Sequence, residues 1–142
     1  MLRFFDCNTA VGRWKHSRPG GYESAAELEA ILDYTQVEQA VVYDPSRNDL
    51  FFASKGRGAF LNDRRLRVSK RIRMNEALIG TGLPHAGRGD VATWARIYGA
   101  IGPEVSGIRR FGAASLDFAW VAAGRMDGFW EDDLDIWDVA AG

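Results

Sequence analysis

The chain has 142 residues, 46% of them hydrophobic, which suits a single globular domain with a substantial core. Its formal net charge of −1 excludes a strong overall attraction to polyanions or anionic membranes, and no apolar run approaches the ~20 residues of a membrane-spanning helix. A single cysteine, Cys7, excludes an internal disulfide, and two distant histidines argue against a histidine-based zinc site, so a cytoplasmic protein is expected.

Residues 1–38 are predicted to form an N-terminal segment that carries one helix. The sequence SRPGG at residues 17–21 breaks regular structure, and SAAE at residues 24–27 has the spacing of a capping box. Apolar residues then share one helical face as far as about Tyr34. We interpret this helix as a packing element without a site, and residues 39–142 as the domain that carries function.

Strands and helices follow in a recognisable order from residue 39 onward. β-Branched and aromatic residues predict a meander of strands at 40–43, 50–54, 59–61 and 66–68, separated by turn residues. Further strands at 77–81, 108–111 and 126–131 alternate with helices at 91–101 and 113–123, the first capped by Asp90. This order predicts an α/β fold, an α+β layered sandwich in which helices flank a largely antiparallel sheet.

Five acidic residues lie within eight positions at the end of the last predicted strand: Glu131, Asp132, Asp133, Asp135 and Asp138. Carboxylates this close repel one another, and a divalent cation among them would relieve the repulsion. A solvated acidic loop is the alternative explanation. Asp138 also begins a predicted helix, where the helix dipole favours an acid, so its position has a structural explanation too.

Several segments resemble the inositol monophosphatase family. They are WDVAAG at residues 137–142, IRRFGAASLD at 108–117, VAAGRMDG at 121–128, and the meander containing GRGAF at 56–60. The similarity covers about residues 40–142 and implies part of that family's layered fold. It also implies Mg²⁺-dependent hydrolysis of a small phosphomonoester, with inositol monophosphate as the leading substrate. Sugar phosphates, histidinol phosphate and adenosine bisphosphates remain alternatives within the wider family, whose members are often homodimers.

The resemblance assigns roles to individual residues. Asp138 would be a magnesium ligand, and Glu131, seven positions earlier, would contact a substrate hydroxyl. Backbone N–H groups of Gly112, Ala113 and Ala114 would lie near the substrate. Ala113 departs from the family, which commonly has Thr or Ser there. No residue is assigned a catalytic role.

The family's main metal-binding motif, D-P-x-D-G-T, does not occur in this sequence. Asp44-Pro45 is followed by Ser46-Arg47, and its position corresponds to the family's later hairpin turn. We therefore expect a partial family member, such as the product of a truncated or frame-shifted gene, that binds magnesium weakly and hydrolyses inositol phosphates poorly. The alternative is a non-catalytic binding or oligomerisation module.

A basic run extends through residues 55–73. It holds eight lysines and arginines against one acid, Asp63. Such a run could contact nucleic-acid phosphates, with Phe60 as a stacking residue. We favour the exposed side of a hairpin, where long cations protect a sheet edge.

Overall fold

The computed structural model describes residues 39–85 and 87–139. The N-terminal segment of residues 1–38, with its predicted helix, lies outside the described residues. Within them, the first four strands are β1 (Gln39–Asp44), β2 (Asp49–Ser54), β3 (Gly58–Leu61) and β4 (Arg64–Arg65). Three further strands are β5 (Leu78–Thr81), β6 (Gly107–Arg109) and β7 (Gly128–Trp130), and the α-helices are α1 (Val91–Ile101), α2 (Ala114–Ala122) and α3 (Ile136–Val139).

These elements form an α/β fold, as predicted, with two sheets. Strands β1 to β4 make an antiparallel sheet in chain order, whereas β6, β5 and β7 make a parallel sheet in that spatial order. The antiparallel sheet is the larger, and the parallel sheet was not anticipated from the sequence. None of the helices in the described ranges is long and apolar enough to cross a membrane.

The first hairpin turn forms because of its own side chains. Asp44 accepts hydrogen bonds from the Ser46 N–H at 3.0 Å and the Ser46 hydroxyl at 2.6 Å, and Asn48 adopts a left-handed φ of 55°. The hydrogen bond from the Ser46 hydroxyl is the main reason why the pKa of Asp44 is lowered. The predicted turn at Asp44-Pro45 is therefore a structural feature of the meander.

The fourth strand lies earlier than the sequence predicted. Asn62 and Asp63 both have positive φ and reverse the chain in two residues, so β4 is Arg64–Arg65 and the predicted strand at 66–68 is wrong. The following segment leaves the sheet and packs on Gly124, where an added Cβ would lie 2.9 Å from the Ser69 nitrogen. That close backbone contact explains why pairing stops.

Helix α2 joins the two sheets because it packs against both β1 and β7. The core that it completes contains Val42, Phe51, Ala119, Trp120 and Met126. Each large apolar side chain buried in this way contributes roughly 1.5–3 kcal/mol. Packing on both sides holds α2, and with it the loop that precedes it, in a fixed position.

Asp127 ties the segment before β5 to the parallel sheet. Its carboxylate accepts hydrogen bonds from Leu78 N at 2.7 Å, from the Arg71 guanidinium at 2.9 Å and from the Ser69 hydroxyl. Burial opposes its ionisation, but the Ser69, Leu78 and Arg71 bonds outweigh burial and lower the pKa of Asp127. These bonds fix where β5 begins.

Candidate active site

The candidate site lies at the carboxyl edge of the parallel sheet. Because β5, β6 and β7 run in the same direction, the residues after them meet at one edge: Gly82, the loop 110–113 and Glu131. Ligands of open parallel sheets bind at this edge. The sequence placed Glu131 and Gly112 at strand ends, but only the strand pairing shows that those ends are neighbours.

Glu131 lies directly over Gly82. The two residues follow the paired positions Thr81 and Trp130, and the Gly82 N–H donates to the Trp130 carbonyl at 3.1 Å. A Cβ added to Gly82 would fall 2.0 Å from the Glu131 carboxyl carbon. Any larger residue at position 82 would therefore displace the end of the Glu131 side chain from this position.

Asp138 is half-buried within α3. Its Oδ2 accepts the backbone N–H of Asp135 at 3.1 Å, while the Asp138 N–H donates to the Asp135 carbonyl at 2.9 Å. This is one half of a capping box, so the predicted structural role at a helix start is present. Burial is the main reason why the pKa of Asp138 is raised, and the negative charge of Asp135 adds to it.

Glu131 and Asp138 interact electrostatically. Burial raises the pKa of Glu131, the charge of Asp138 raises it further, and the charges of Arg88 and Arg110 oppose these effects. Two acids whose charges disfavour each other in a partly dry setting form a site that a cation would stabilise. Asp138 is therefore near enough to Glu131 for its charge to act on the Glu131 pKa.

The turn at residues 112–114, which we call the Gly112 turn, leads into α2. Gly112 has a φ of 91°, a left-handed conformation that favours glycine. Ala113 is the N-cap residue of α2, with no side-chain cap, and Ala114 is its first, buried residue. The missing hydroxyl at Ala113 therefore leaves the helix start without a cap from its own N-cap residue.

Asp117 was not identified as a site residue from the sequence. Its side chain is 1% exposed, and its Oδ1 has no hydrogen-bond partner in the part of the chain that the structure describes. Burial raises the pKa of Asp117 to about 6, with a further contribution from the charge of Glu131. A lone acid in the otherwise uncharged helix at 113–123 was the signal that could have revealed it.

A cleft beside Glu131 is formed by the loop that follows β5. It is lined by Gly82, Leu83, Pro84, His85, Arg88, Gly89, Trp94, Glu131 and Asp132. The Trp94 indole N–H donates to the Gly82 carbonyl at 2.8 Å and to the Thr81 hydroxyl at 3.0 Å, which fixes one wall. No role was predicted for this loop from the sequence.

Arg88 connects this loop to the acidic segment. Its guanidinium donates to the Asp133 carbonyl and lies 3.8 Å from the Asp135 carboxylate, while the Gly89 N–H donates to Asp133 Oδ2 at 2.5 Å. The Arg88 charge also lowers the pKa of both Glu131 and Asp138 against the effect of burial. Arg88 is thus a positive charge already present among these acids.

The described residues do not complete a magnesium site. Magnesium prefers octahedral oxygen ligands and is usually bound through more than one carboxylate or phosphate group. Asp138 offers a suitable oxygen, but across residues 39–85 and 87–139 no three His, Cys, Asp or Glu side chains are placed to hold a metal. Asp138 therefore fits the role of one ligand only.

Comparison with known proteins decides the family. The model of the inositol monophosphatase family matches residues 28–142, most of the chain. The chain belongs to the inositol monophosphatase family. The match begins ahead of residue 40, where the resemblance recognised in the sequence starts.

Relatives within the inositol monophosphatase family are longer than this chain. An inositol-1-monophosphatase from Rhizobium meliloti (strain 1021) is 54% identical over 75% of this chain and 40% of its own length. A putative Nus factor SuhB from Neisseria meningitidis serogroup B is 47% identical over 86% of this chain and 47% of its own length. The crystal structure of extragenic suppressor protein suhB from Bartonella henselae has a TM-score of 0.68 and 54% identity, covering 71% of this chain and 39% of that one. The chain thus spans less than half the length of these relatives.

Proposed function

We propose that this chain takes part in the Mg²⁺-dependent hydrolysis of a small phosphomonoester, with inositol monophosphate as the leading substrate, in the cytoplasm. The observation that carries the proposal is the half-buried Glu131 at the carboxyl edge of the parallel sheet, where burial and then the charge of Asp138 raise its pKa. Membership of the inositol monophosphatase family supports the phosphatase class. The specific substrate and the metal are our inference.

Glu131 is proposed to accept a hydrogen bond from a substrate hydroxyl. Its half-buried carboxylate lies over Gly82 and lines the cleft beside it, so a hydroxyl group that enters this cleft would meet the carboxylate. Hydrogen bonds to a charged group contribute about 1.5–3 kcal/mol each. The backbone N–H groups of the Gly112 turn are proposed to face the same substrate.

Asp138 is proposed as a magnesium ligand. When bound, the metal would polarise the phosphate and favour attack by water. The sequence lacks D-P-x-D-G-T, and the described residues hold no group of three acids, histidines or cysteines placed to bind a metal, so we propose weak magnesium binding and slow turnover for the isolated chain.

The test is a magnesium titration of the purified chain, with and without inositol 1-phosphate, followed by phosphate release. Asp138→Asn should weaken magnesium binding, whereas Asp63→Asn, the same charge change at an exposed turn, should not. Turnover should stay far below that of a full-length relative measured alongside. Equal magnesium binding by the Asp138→Asn and Asp63→Asn variants would contradict the proposed ligand role and favour a non-catalytic module.

A second candidate function is binding of a nucleic acid through the basic run. Four arginines take part in one open groove, which is lined by Leu61, Asn62, Arg64, Arg65, Leu66, Arg67, Ala123 and Arg125. Arg64 and Arg65 are exposed on the short edge strand β4, whereas Arg125 is engaged with Asp49 at 2.7 Å. The proposed site and this groove are formed by different residues, so the two functions can be tested separately.

Binding to a random oligonucleotide, followed by fluorescence anisotropy at several salt concentrations, tests this candidate. If the groove binds phosphates, Arg64→Ala should reduce the slope of log affinity against log salt by about 1. Glu131→Gln, outside the groove, should leave that slope unchanged. Absence of salt-dependent binding would contradict the nucleic-acid function and leave protection of the sheet edge as the explanation of the basic run.

A further inference from the structure

Asp133 has a backbone conformation that suits glycine better than aspartate. Its φ of 57° lies in the left-handed region, where a residue without a Cβ meets no steric penalty. Asp133 is also exposed, and it lies between the acids Asp132 and Asp135. Neither the backbone nor burial requires a carboxylate at this position, so the contacts of the carboxylate are what distinguishes aspartate from glycine here.

Those contacts are with the loop that leads from β5 to α1. The Gly89 N–H donates to Asp133 Oδ2 at 2.5 Å, and the Arg88 guanidinium donates to the Asp133 carbonyl. Gly89 and Asp133 are 44 residues apart in the chain. These bonds therefore join two distant segments at the carboxyl edge of the parallel sheet.

The part of the loop that Asp133 holds is a compact turn, which we call the loop wall: Pro84, His85, Arg88 and Gly89. His85 and Arg88 exchange two backbone hydrogen bonds, at 2.8 and 3.1 Å. A Cβ added to Gly89 would lie 3.2 Å from the Pro84 Cβ, so the ends of the turn also lie close together. All four residues line the cleft. A bond that fixes Gly89 therefore helps to fix the whole loop wall.

The floor of the cleft is held by other residues. The Trp94 indole N–H donates to the Gly82 carbonyl at 2.8 Å, and the Glu131 side chain lies over Gly82. Of the described acids after β7, Glu131 and Asp132 line the cleft, whereas Asp133 stands outside it. Asp133 thus links the loop wall to the segment that carries Glu131 without occupying the cleft.

We propose that Asp133 is a positioning residue: its carboxylate holds the Gly89 end of the loop wall next to the segment that carries Glu131, and so sets the width of the cleft. This inference rests on the proposed function, because it takes the cleft beside Glu131 as the place where a substrate hydroxyl enters. The bond from Arg88 goes to the backbone carbonyl and does not depend on the side chain at position 133. The contribution specific to aspartate is therefore the bond from the Gly89 N–H.

The experiment compares Asp133→Asn with Asp133→Gly in the full 142-residue chain. Asparagine keeps an acceptor oxygen and tolerates a left-handed φ, whereas glycine suits that φ, so that the variant should fold, and has no acceptor. Asp63→Gly is the matched control, since Asp63 is an exposed aspartate with a φ of 66° in the turn between β3 and β4. Hydrogen exchange of the Gly89 amide should be about fivefold faster in Asp133→Gly than in the unaltered chain, and nearly unchanged in Asp133→Asn and Asp63→Gly.

Substrate binding provides the second measurement. With magnesium present, the affinity for inositol 1-phosphate should fall about fivefold in Asp133→Gly, the effect of one lost hydrogen bond, and be restored in Asp133→Asn. Asp63→Gly should bind like the unaltered chain. Equal Gly89 exchange in Asp133→Gly and the unaltered chain, or an equal loss of affinity in Asp133→Asn and Asp133→Gly, would overturn the positioning role. Lack of inositol phosphate binding by the unaltered chain, with the exchange pattern as expected, would instead overturn the proposed function.

Discussion

Replacing Asp117 with asparagine should change how the stability of the protein depends on pH. Burial raises the pKa of Asp117 from 3.8 to about 6 in the folded chain. The native state therefore binds more protons than the unfolded state between these two values, and stability falls as pH rises through that window. One pKa unit corresponds to about 1.36 kcal/mol. The rise in the pKa of Asp117 from 3.8 to about 6 therefore lowers the free energy of unfolding by about 3 kcal/mol at most, once the pH is above 6.

Asp117→Asn removes this ionisation while it keeps the size of the side chain. Urea unfolding of both proteins should be measured from pH 4 to pH 8. The stability of Asp117→Asn relative to the unaltered chain should increase by up to about 3 kcal/mol as pH rises from 4 to 6, and this difference should stay constant above pH 6. The comparison cancels the titration of other carboxyls, and Asp63→Asn is the control for loss of one negative charge. A stability difference that is independent of pH would refute the reasoning.

Two further predictions concern stability and the space around the site. Gly82→Ala should displace the end of the Glu131 side chain, because the new Cβ would lie 2.0 Å from its carboxyl carbon. Since that side chain is flexible, the cost in thermal unfolding should be only about 1 kcal/mol, whereas inositol phosphate binding should be lost. Gly99→Ala, at an open position in α1, should instead stabilise by about 0.5–1 kcal/mol, and equal effects of the two changes would contradict the packing argument. Asp127→Asn should cost about 1–3 kcal/mol in urea unfolding at pH 7, because it weakens the bonds to Leu78 and Arg71. Since the pKa of Asp127 is lowered on folding, this cost should shrink as pH falls below 3.8, and a cost that grew on acidification would count against the assignment.

Local features of the fold could be predicted because local chemistry determines them. Asp90 was predicted to cap α1, and its Oδ1 accepts the Ala92 N–H at 3.0 Å. The hairpin turns at 45–48 and 62–63 follow from their own turn residues. The prediction of a strand at 66–68 failed because the backbone of this segment packs against Gly124, which is far away in the sequence.

The candidate site was predictable only in part for the same reason. Glu131 and Asp138 stood out because they are close in sequence and match the motif of the inositol monophosphatase family. Gly82 and Arg88 did not, since their proximity to Glu131 depends on the pairing of β5 with β7, across about fifty residues of chain. The burial of Asp117 could not be predicted from the sequence, because an acidic residue within a helix is usually exposed to solvent.

The central claim is that Glu131 and Asp138 act together on one ligand that contains both a hydroxyl and a phosphate. Calorimetric titration of inositol 1-phosphate into the chain, with and without magnesium, tests it most directly. We expect measurable binding only when magnesium is present, and a loss of about tenfold or more in affinity for Glu131→Gln, the effect of one charged hydrogen bond. Binding of the same strength without magnesium, or in Glu131→Gln, would contradict the account.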